Sequence, residues 1–158
     1  MEFKFVPDLV ATNLSADDSS DAINKLSKLL TAKEYVSEEY AGKVIERERE
    51  YPTGLQTKGP AIAIPHAFDD GIKGNHVAIG VLKNPVKFHS MEDMDAEVDV
   101  KIMFMLAIGG SHEQLTMLQF LMKVFQHEEL LNTIATTDSD EKICDCLNKY
   151  SSSFANGW

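Results

Sequence analysis

The stretch from Val98 to Ile108 reads V-D-V-K-I-M-F-M-L-A-I and constrains the fold more than any other part of the chain. Its first half alternates polar and apolar residues. Its second half is continuously apolar, as in a strand that passes into the covered middle of a sheet. A pair of glycines ends the strand, and Ser111 and Gln114 then follow at the spacing of a capping box. The pattern predicts a central strand that leads directly into a helix.

Further helices and strands are predicted on both sides of that strand. The helix after the glycine pair carries apolar residues at steps of three or four, namely Leu115, Leu118, Leu121, Met122 and Phe125. Other predicted helices contain Ile23, Leu26, Leu29 and Leu30, or cover about 37–50, 128–134 and 139–150, the last with Ile143, Cys146, Leu147 and Tyr150 inward. Strands are predicted at about 60–64 and 76–82, with an edge strand or extended lead-in over 3–12. Elements of both kinds in alternation predict one α/β domain over 1–158, with a core at about 15–150 and a loose tail at 151–158.

Composition and charge limit the classes of function. The chain has 158 residues, of which 44% are hydrophobic and 25% are charged, the ordinary balance of one globular domain. Its formal net charge of −10 disfavours binding to nucleic acid or anionic lipid, so a macromolecular partner is expected to present a basic face. The first residues lack the basic and apolar regions of a signal peptide, and no run is long enough to span a membrane. We therefore expect a cytoplasmic protein without direct membrane insertion.

The segment P-A-I-A-I-P-H-A at residues 60–67 ends a predicted strand with Pro65 and presents His66. Pro65 donates no hydrogen bond, so pairing is expected to stop there and leave the histidine at the rim of the sheet. An imidazole with the ordinary pKa of about 6.5 is largely neutral at pH 7, and it can act as a nucleophile, a base or a metal ligand. From these residues alone, a structural and a functional role for His66 are about equally supported.

A second histidine and two arginines favour a phosphate site. His112 lies in the first turn of the helix after the glycine pair, where free N–H groups and the helix dipole favour anions. Arg47 and Arg49 end another predicted helix, in a charged run whose simplest interpretation is a solvated face. The turn 52–54 can fold that helix end toward His66, where a guanidinium would bind a phosphoryl group through two hydrogen bonds.

Three segments of the sequence together are similar to a known family. R-E-R-E-Y-P-T-G-L at 47–55, A-I-A-I-P-H-A at 61–67 and S-H-E-Q-L at 111–115 resemble the fructose/mannitol (type 2) class of phosphotransferase-system (PTS) enzyme IIA domains. The long stretch between Gly54 and His66 looks most like the galactitol-type branch. The resemblance spans about residues 15–150, and it implies the mannitol-type enzyme IIA fold, a central mixed β-sheet with helices packed on both faces.

The resemblance also implies roles for three residues. His66 matches the phosphoacceptor, expected to be phosphorylated on Nε2 (the tele nitrogen). His112 matches the neighbouring histidine that supports the phosphoryl group, and Arg47 matches the arginine that binds it. Arg47 is preferred to Arg49 because it stands five residues before Pro52, the spacing found in the family.

Members of this family take a phosphoryl group from the phosphohistidine of HPr and pass it to a cysteine of a sugar-specific enzyme IIB. The resemblance therefore implies these two partners and a phosphotransferase that uses no metal and no cofactor, because the site only positions the groups and stabilises charge. Ala67-Phe68 departs from the glycine or small polar residue that many members have after the histidine, which leaves the detailed phosphate contacts and the choice of partner open. The transported sugar and the oligomeric state are open as well, since the membrane component selects the sugar in this family.

Two other functions fit parts of the sequence. A regulatory module would use the same phosphorylation of His66 to control a regulator or a transporter, and the residues alone do not separate it from a transport component. A metal-dependent hydrolase would draw on His66, Asp69, Asp70 and His112. The two aspartates adjoin a glycine, however, and formation of a turn is their simpler role. The other histidines are interpreted as structural or solvated: His76, His89 and His127.

Overall fold

A four-stranded sheet forms the centre of the molecule. The computed structural model describes residues 4–155, and within them the strands are β1 (Val10–Leu14), β2 (Ala61–Ala63), β3 (Asn75–His89) and β4 (Glu97–Ile108). Their order across the sheet is β1-β3-β4-β2. β3 and β4 are antiparallel, and each edge strand is parallel to its neighbour. The mixed sheet expected from the resemblance is confirmed.

Helices cover both faces of this sheet. They are α1 (Ser19–Ala32), α2 (Tyr40–Glu50), α3 (Ser111–Phe125), α4 (Glu128–Thr136) and α5 (Asp140–Ala155), and a short 3-10 helix (Pro7–Leu9) precedes β1. α1 and α2 pack on one face around Leu26 and Met103, and the other three pack on the opposite face around Phe104 and Phe120. Because successive β4 residues point to opposite covered faces, the strand needs its continuous apolar run. Among the described residues, no helix has the length and apolar character needed to cross a membrane.

β3 is much longer than the strand predicted at 76–82. It pairs with β4 from Asn75 to Val81 and again from Val86 to His89, which lies opposite Glu97. A register shift between Val81 and Val86 interrupts the alternation, and this irregularity hides the second half of the strand from a periodicity argument. His89 is therefore the last residue of a strand, and the acidic segment 92–96 lies in the loop between β3 and β4.

The predicted capping box of α3 is wrong. Gly110 is the N-cap residue, and in the part of the chain that the structure describes no side-chain hydrogen bond caps the helix. The buried face of the helix consists of Gln114, Met117, Phe120, Leu121, Val124 and Phe125. Leu115 and Met122, by contrast, are 56% and 38% exposed. Apolar residues occur all round α3, so their spacing predicted the helix but not the face that packs on the sheet.

The C-terminal helix differs from prediction in length and in its inner face. α5 continues through residues predicted as a loose tail, and Ser151 is fully buried. Residues 156–158 of that tail, like residue 3 of the lead-in, lie outside the described residues. Cys144 is buried with Ile143, whereas Cys146, predicted to face inward, is only partly covered. The buried face of α5 repeats at steps of four residues. Cys144, next to Ile143, falls on that face, and Cys146 lies at its margin.

Candidate functional site

His66 lies just beyond the parallel ladder of β2 and β4. The Pro65 carbonyl accepts a hydrogen bond from the Leu106 N–H at 3.2 Å, and His66 forms a parallel bridge with Leu106. The prediction that pairing stops at Pro65 is therefore wrong, because proline lacks the N–H but keeps its carbonyl as an acceptor. The bridge holds His66 against the central strand, at the edge of the sheet where β2 and β4 both end.

The imidazole of His66 is oriented by its own segment. Nδ1 lies 2.7 Å from the carbonyl oxygen of Ile64. Because a carbonyl only accepts, Nδ1 carries the proton and Nε2 keeps a free lone pair. Burial holds the pKa of the His66 imidazole below its usual value; the bond to Ile64 opposes this shift, and the positive charge of Arg47 adds to it. His66 is therefore neutral at pH 7, with the available lone pair on Nε2.

Arg47 and Arg49 stand close together in α2 but have different surroundings. The guanidinium carbon of Arg47 lies 5.1 Å from the centroid of the Tyr51 ring and 5.2 Å from that of the Phe68 ring. Its charge also acts on the imidazole of His66. Arg49 is exposed, and within residues 4–155 it has no contact of this kind with either ring. The fold thus brings Arg47 to the histidine and leaves Arg49 outside.

A carboxyl group ties the end of α2 to the segment before His66. Glu48 accepts hydrogen bonds from the Thr53 N–H at 2.7 Å and from the Thr53 hydroxyl at 2.8 Å. The same hydroxyl accepts from the Ile64 N–H at 3.0 Å. Hydrogen bonds therefore lead from Glu48 through Thr53 and Ile64 to the imidazole. Burial raises the pKa of Glu48 to about 7, although both bonds from Thr53 act in the opposite direction.

Gly54 allows this turn to lie close against β3. Its N–H donates to the His89 carbonyl at 3.1 Å, and a Cβ at position 54 would stand 2.6 Å from the same oxygen. Such an approach leaves no room for a side chain, so the T-G sequence of the turn has a direct steric cause.

Tyr40 holds the segment on the other side of His66. Its hydroxyl accepts a hydrogen bond from the Ala67 N–H at 3.3 Å and donates to the Leu106 carbonyl of β4. Burial raises the pKa of the Tyr40 hydroxyl to about 12, so it stays protonated and able to donate. Both flanks of the histidine are thus bonded to neighbouring elements.

Sequence reasoning missed the part that Glu48 and Thr53 have in this arrangement. Glu48 belongs to the alternating run E-R-E-R-E, where it looks the same as its solvated neighbours. The available signal is the threonine in the turn that follows, because a carboxylate at a helix end can accept hydrogen bonds from the next turn.

His112 lies in the first turn of α3 and is exposed. Within residues 4–155, no hydrogen bond or ring contact joins it directly to His66. They share one end of the sheet because β2 and β4 are parallel. Since α3 has no side-chain cap, the N–H groups of its first turn are free to bind an anion near that edge.

The aspartates that follow His66 form a turn. Asp69 accepts a hydrogen bond from the Gly71 N–H at 3.1 Å and pairs with Lys43 at 3.1 Å. In the part of the chain that the structure describes, no three His, Cys, Asp or Glu side chains gather where they could hold a metal ion. The ligand set of the hydrolase alternative is not assembled there.

Comparison with known proteins finds relatives in sequence and in fold. The galactitol-specific EIIA component of Escherichia coli (strain K12) is 30% identical over 128 residues, which cover 80% of this chain and 84% of that protein. The transcriptional regulator ManR of Bacillus subtilis (strain 168) is 34% identical over 111 residues, 70% of this chain but 15% of the regulator. Among solved structures, mannitol enzyme IIA from Escherichia coli, in complex with phosphorylated enzyme IIB, superposes with a TM-score of 0.77 at 22% identity, over 92% of this chain and 97% of that one.

The family model of the phosphoenolpyruvate-dependent sugar phosphotransferase system, EIIA 2, matches residues 4–150. That range includes every element from β1 to α4 and most of α5. The chain therefore belongs to the EIIA type-2 family of the phosphotransferase system, whose members are phosphotransferases that carry phosphoryl groups.

Proposed function

We propose that this chain is a sugar-specific enzyme IIA component. It accepts a phosphoryl group from phospho-HPr on Nε2 of His66 and transfers it to a cysteine of a cognate enzyme IIB, in the cytoplasm, during uptake of a sugar or sugar alcohol. The galactitol-specific relative and the mannitol complex with phosphorylated enzyme IIB support this choice of reaction and partner. The observation that carries the proposal is the bond of 2.7 Å between His66 Nδ1 and the Ile64 carbonyl, which leaves Nε2 as the ring nitrogen with a lone pair.

Both transfer steps use that lone pair. In the first, Nε2 attacks the phosphorus of the donor phosphohistidine in line; an N–P bond forms on His66, and the donor's N–P bond breaks with its electron pair returning to the donor imidazole. In the second, a cysteine thiolate of enzyme IIB attacks the same phosphorus; an S–P bond forms, and the electron pair returns to Nε2. The Ile64 carbonyl holds the Nδ1 proton throughout.

Arg47 and His112 are proposed to stabilise the transferred group. The Arg47 guanidinium acts on the imidazole of His66, and its planar fork suits two phosphoryl oxygens. His112 and the uncapped N–H groups of α3 offer donors at the same end of the sheet, for charge that develops as the group moves between partners.

The test is phosphoryl transfer from phosphoenolpyruvate through enzyme I and HPr, with native chain, His66→Ala and the control His127→Ala. We expect acid-labile phosphate on the native chain and the control, and none on His66→Ala. Acid-labile phosphate on His66→Ala would refute the assignment. Nuclear magnetic resonance of the phosphorylated chain identifies the modified nitrogen, and phosphate on Nδ1 would contradict the argument from the Ile64 bond.

A second candidate function is supported by the similarity to the regulator ManR. In that case the phosphorylated chain would signal to a regulator or transporter and would not pass its phosphate onward. Incubation of the phosphorylated chain with a galactitol-type enzyme IIB distinguishes the two: loss of phosphate from His66 with its appearance on the enzyme IIB cysteine favours transport, and full retention favours regulation.

A further inference from the structure

Two exposed aromatic rings enclose the arginine beside His66. The Arg47 guanidinium carbon stands 5.1 Å from the Tyr51 ring centroid and 5.2 Å from the Phe68 ring centroid, both within range of a cation–π interaction. The two side chains are 61% and 63% exposed, so the burial of apolar area does not account for their position. The contact that both rings share is the one with the Arg47 guanidinium.

The two rings come from different segments of the chain. Tyr51 is the C-cap residue of α2, and its N–H donates to the Arg47 carbonyl at 2.7 Å. Phe68 follows Ala67, whose N–H is bonded to the Tyr40 hydroxyl. The backbone at Tyr51 and the backbone next to Phe68 are therefore held by hydrogen bonds that do not involve the Arg47 side chain. Arg47 connects the end of the helix with the segment that follows the acceptor histidine.

The edge of the guanidinium is left available. Among residues 4–155, no hydrogen bond or ion pair engages the guanidinium of Arg47, although Glu46, Glu48 and Glu50 are close in sequence. A guanidinium that stacks on a ring does so with its face, whereas its N–H donors point outward in the plane. The arginine is thus held without using the groups that bind an anion.

We propose that Tyr51 and Phe68 are positioning residues, which hold the Arg47 guanidinium by its faces so that its N–H edge meets the phosphoryl group on His66. This inference rests on the proposed function. Without the rings, the long arginine side chain gains rotamers and can pair with a neighbouring glutamate. Phe68 stands in the segment where this sequence departs from many enzyme IIA domains, so the arrangement accounts for that departure.

The first experiment measures phosphorylation of His66 by phosphoramidate, a small donor that needs no docking surface. The Nε2–P bond forms, the P–N bond of phosphoramidate breaks, and ammonia leaves. We expect Tyr51→Leu and Phe68→Leu each to slow this reaction about two- to five-fold, the fold-change that corresponds to loss of one exposed cation–π contact. Tyr51→Phe and Phe68→Tyr keep a ring and are expected to react at the native rate. Val6→Ala, which trims an exposed apolar side chain elsewhere, is the matched control.

The Arg47→Ala background separates positioning from other effects. If the rings act through the guanidinium, Arg47→Ala/Phe68→Leu reacts as fast as Arg47→Ala alone, because nothing is left to position. An additional slowing of the same two- to five-fold in the double variant would show that the ring acts by itself and would overturn the proposal. Slowing only with phospho-HPr, and not with phosphoramidate, would make the rings a partner contact and would also overturn it.

The second experiment follows the Arg47 Nε–H resonance, which reports ring packing whether or not phosphate is transferred. We expect a ring-current shift in the native chain that is lost in the two leucine variants and kept in Tyr51→Phe and Phe68→Tyr. An unchanged resonance in the leucine variants refutes the packing. If His66 of the native chain takes no phosphate while the resonance behaves as expected, the proposed function fails and the role in phosphoryl binding fails with it. Normal phosphorylation in all four ring variants defeats this inference alone.

Discussion

His66 and His112 follow strands that end at one edge of the sheet, yet their surroundings are opposite in character. His66 is half-buried, and hydrogen bonds fix its ring and both flanks of its segment. His112 is exposed on a helix turn that has no side-chain cap. In the proposed function, His66 must always attack from one direction, and it is held rigidly. His112 helps the phosphoryl group to leave, and it stays accessible so that a partner protein can contact it.

We call His66, Arg47 and the Glu48–Thr53 hydrogen bonds the rigid side of the site. The largest expected effect is at its arginine, Arg47. Arg47→Ala is expected to slow phosphorylation of His66 by phospho-HPr by about 10²- to 10³-fold, as for other removed donors to a developing charge. Arg47→Lys is expected to lose less, because the charge stays while the planar fork is lost. Rapid-quench rates check this, with urea unfolding to show that stability changes less than the rate. Equal losses in Arg49→Lys would remove the distinction between the two arginines.

Glu48 provides a stability test of the same rigid side. Its pKa is raised by burial to about 7 in the folded chain, against about 4.3 in the unfolded one, so the folded state binds its proton more tightly. The contribution of this group to stability is therefore highest below pH 4 and declines as the pH rises toward 7. From pH 4 to pH 8, we expect the unfolding free energy of the native chain to fall by about 3 kcal/mol relative to Glu48→Gln.

Urea denaturation at a series of pH values measures this difference directly. Glu46→Gln, which removes an exposed carboxylate from the same helix, is the control and is expected to follow the native chain. A native chain and a Glu48→Gln variant with parallel pH profiles would show that the carboxyl is solvated, and the rigid side would then lack its anchor.

Thr53→Val is expected to have the next largest effect. The substitution keeps the side-chain shape, but it removes the hydroxyl that donates to Glu48 and accepts from the Ile64 N–H. An unpaired buried N–H costs about 1–3 kcal/mol, which the shift of the urea midpoint should report. Thr136→Val removes an exposed hydroxyl bonded to the Asn132 carbonyl and is expected to stay within about 0.5 kcal/mol of native. Equal losses of unfolding free energy in Thr53→Val and Thr136→Val would mean that the hydrogen bonds of Thr53 do not rigidify the site.

The smallest effect is expected at His112, in the exposed first turn of α3, which we call the open side of the site. His112→Ala should leave the rate of phosphate acceptance nearly unchanged and lower onward transfer to enzyme IIB about tenfold, the value of one hydrogen bond to a charged group. Separate single-turnover measurements of the two steps check this. Normal onward transfer would remove the supporting role of His112. A large loss of acceptance would place it on the rigid side with His66.

The sequence predicts those parts of the fold that depend on local pattern. The apolar half of β4 had to be covered on both faces, and it is. The second half of β3 was not predictable in this way, because its pairing with β4 is a long-range property and its alternation is interrupted. For α3 the period was correct, but Leu115 faces solvent, since apolar residues on every side leave the packing face undetermined.

In the candidate site, too, local pattern predicts some residues and misses those whose role depends on burial. The family's spacing to Pro52 favours Arg47, the arginine whose charge acts on the His66 imidazole, and its role in binding phosphate stays a prediction. The hydrogen bonds from Glu48 to Thr53 join residues whose types are common on helix surfaces and in turns, and only burial separates them from solvated neighbours. Burial is a tertiary property, so the charged run alone gave no means of selecting Glu48.

The bond from His66 Nδ1 to the Ile64 carbonyl has a consequence for turnover. Because the acceptor is two residues away in the same segment, the choice of reactive nitrogen does not depend on which partner is docked. In the proposed cycle the phosphoryl group enters and leaves through one nitrogen, with no proton shift between the ring atoms. The imidazole then needs no reset between its two reactions, and the product of the first step is ready for the second as soon as one partner protein is exchanged for the other.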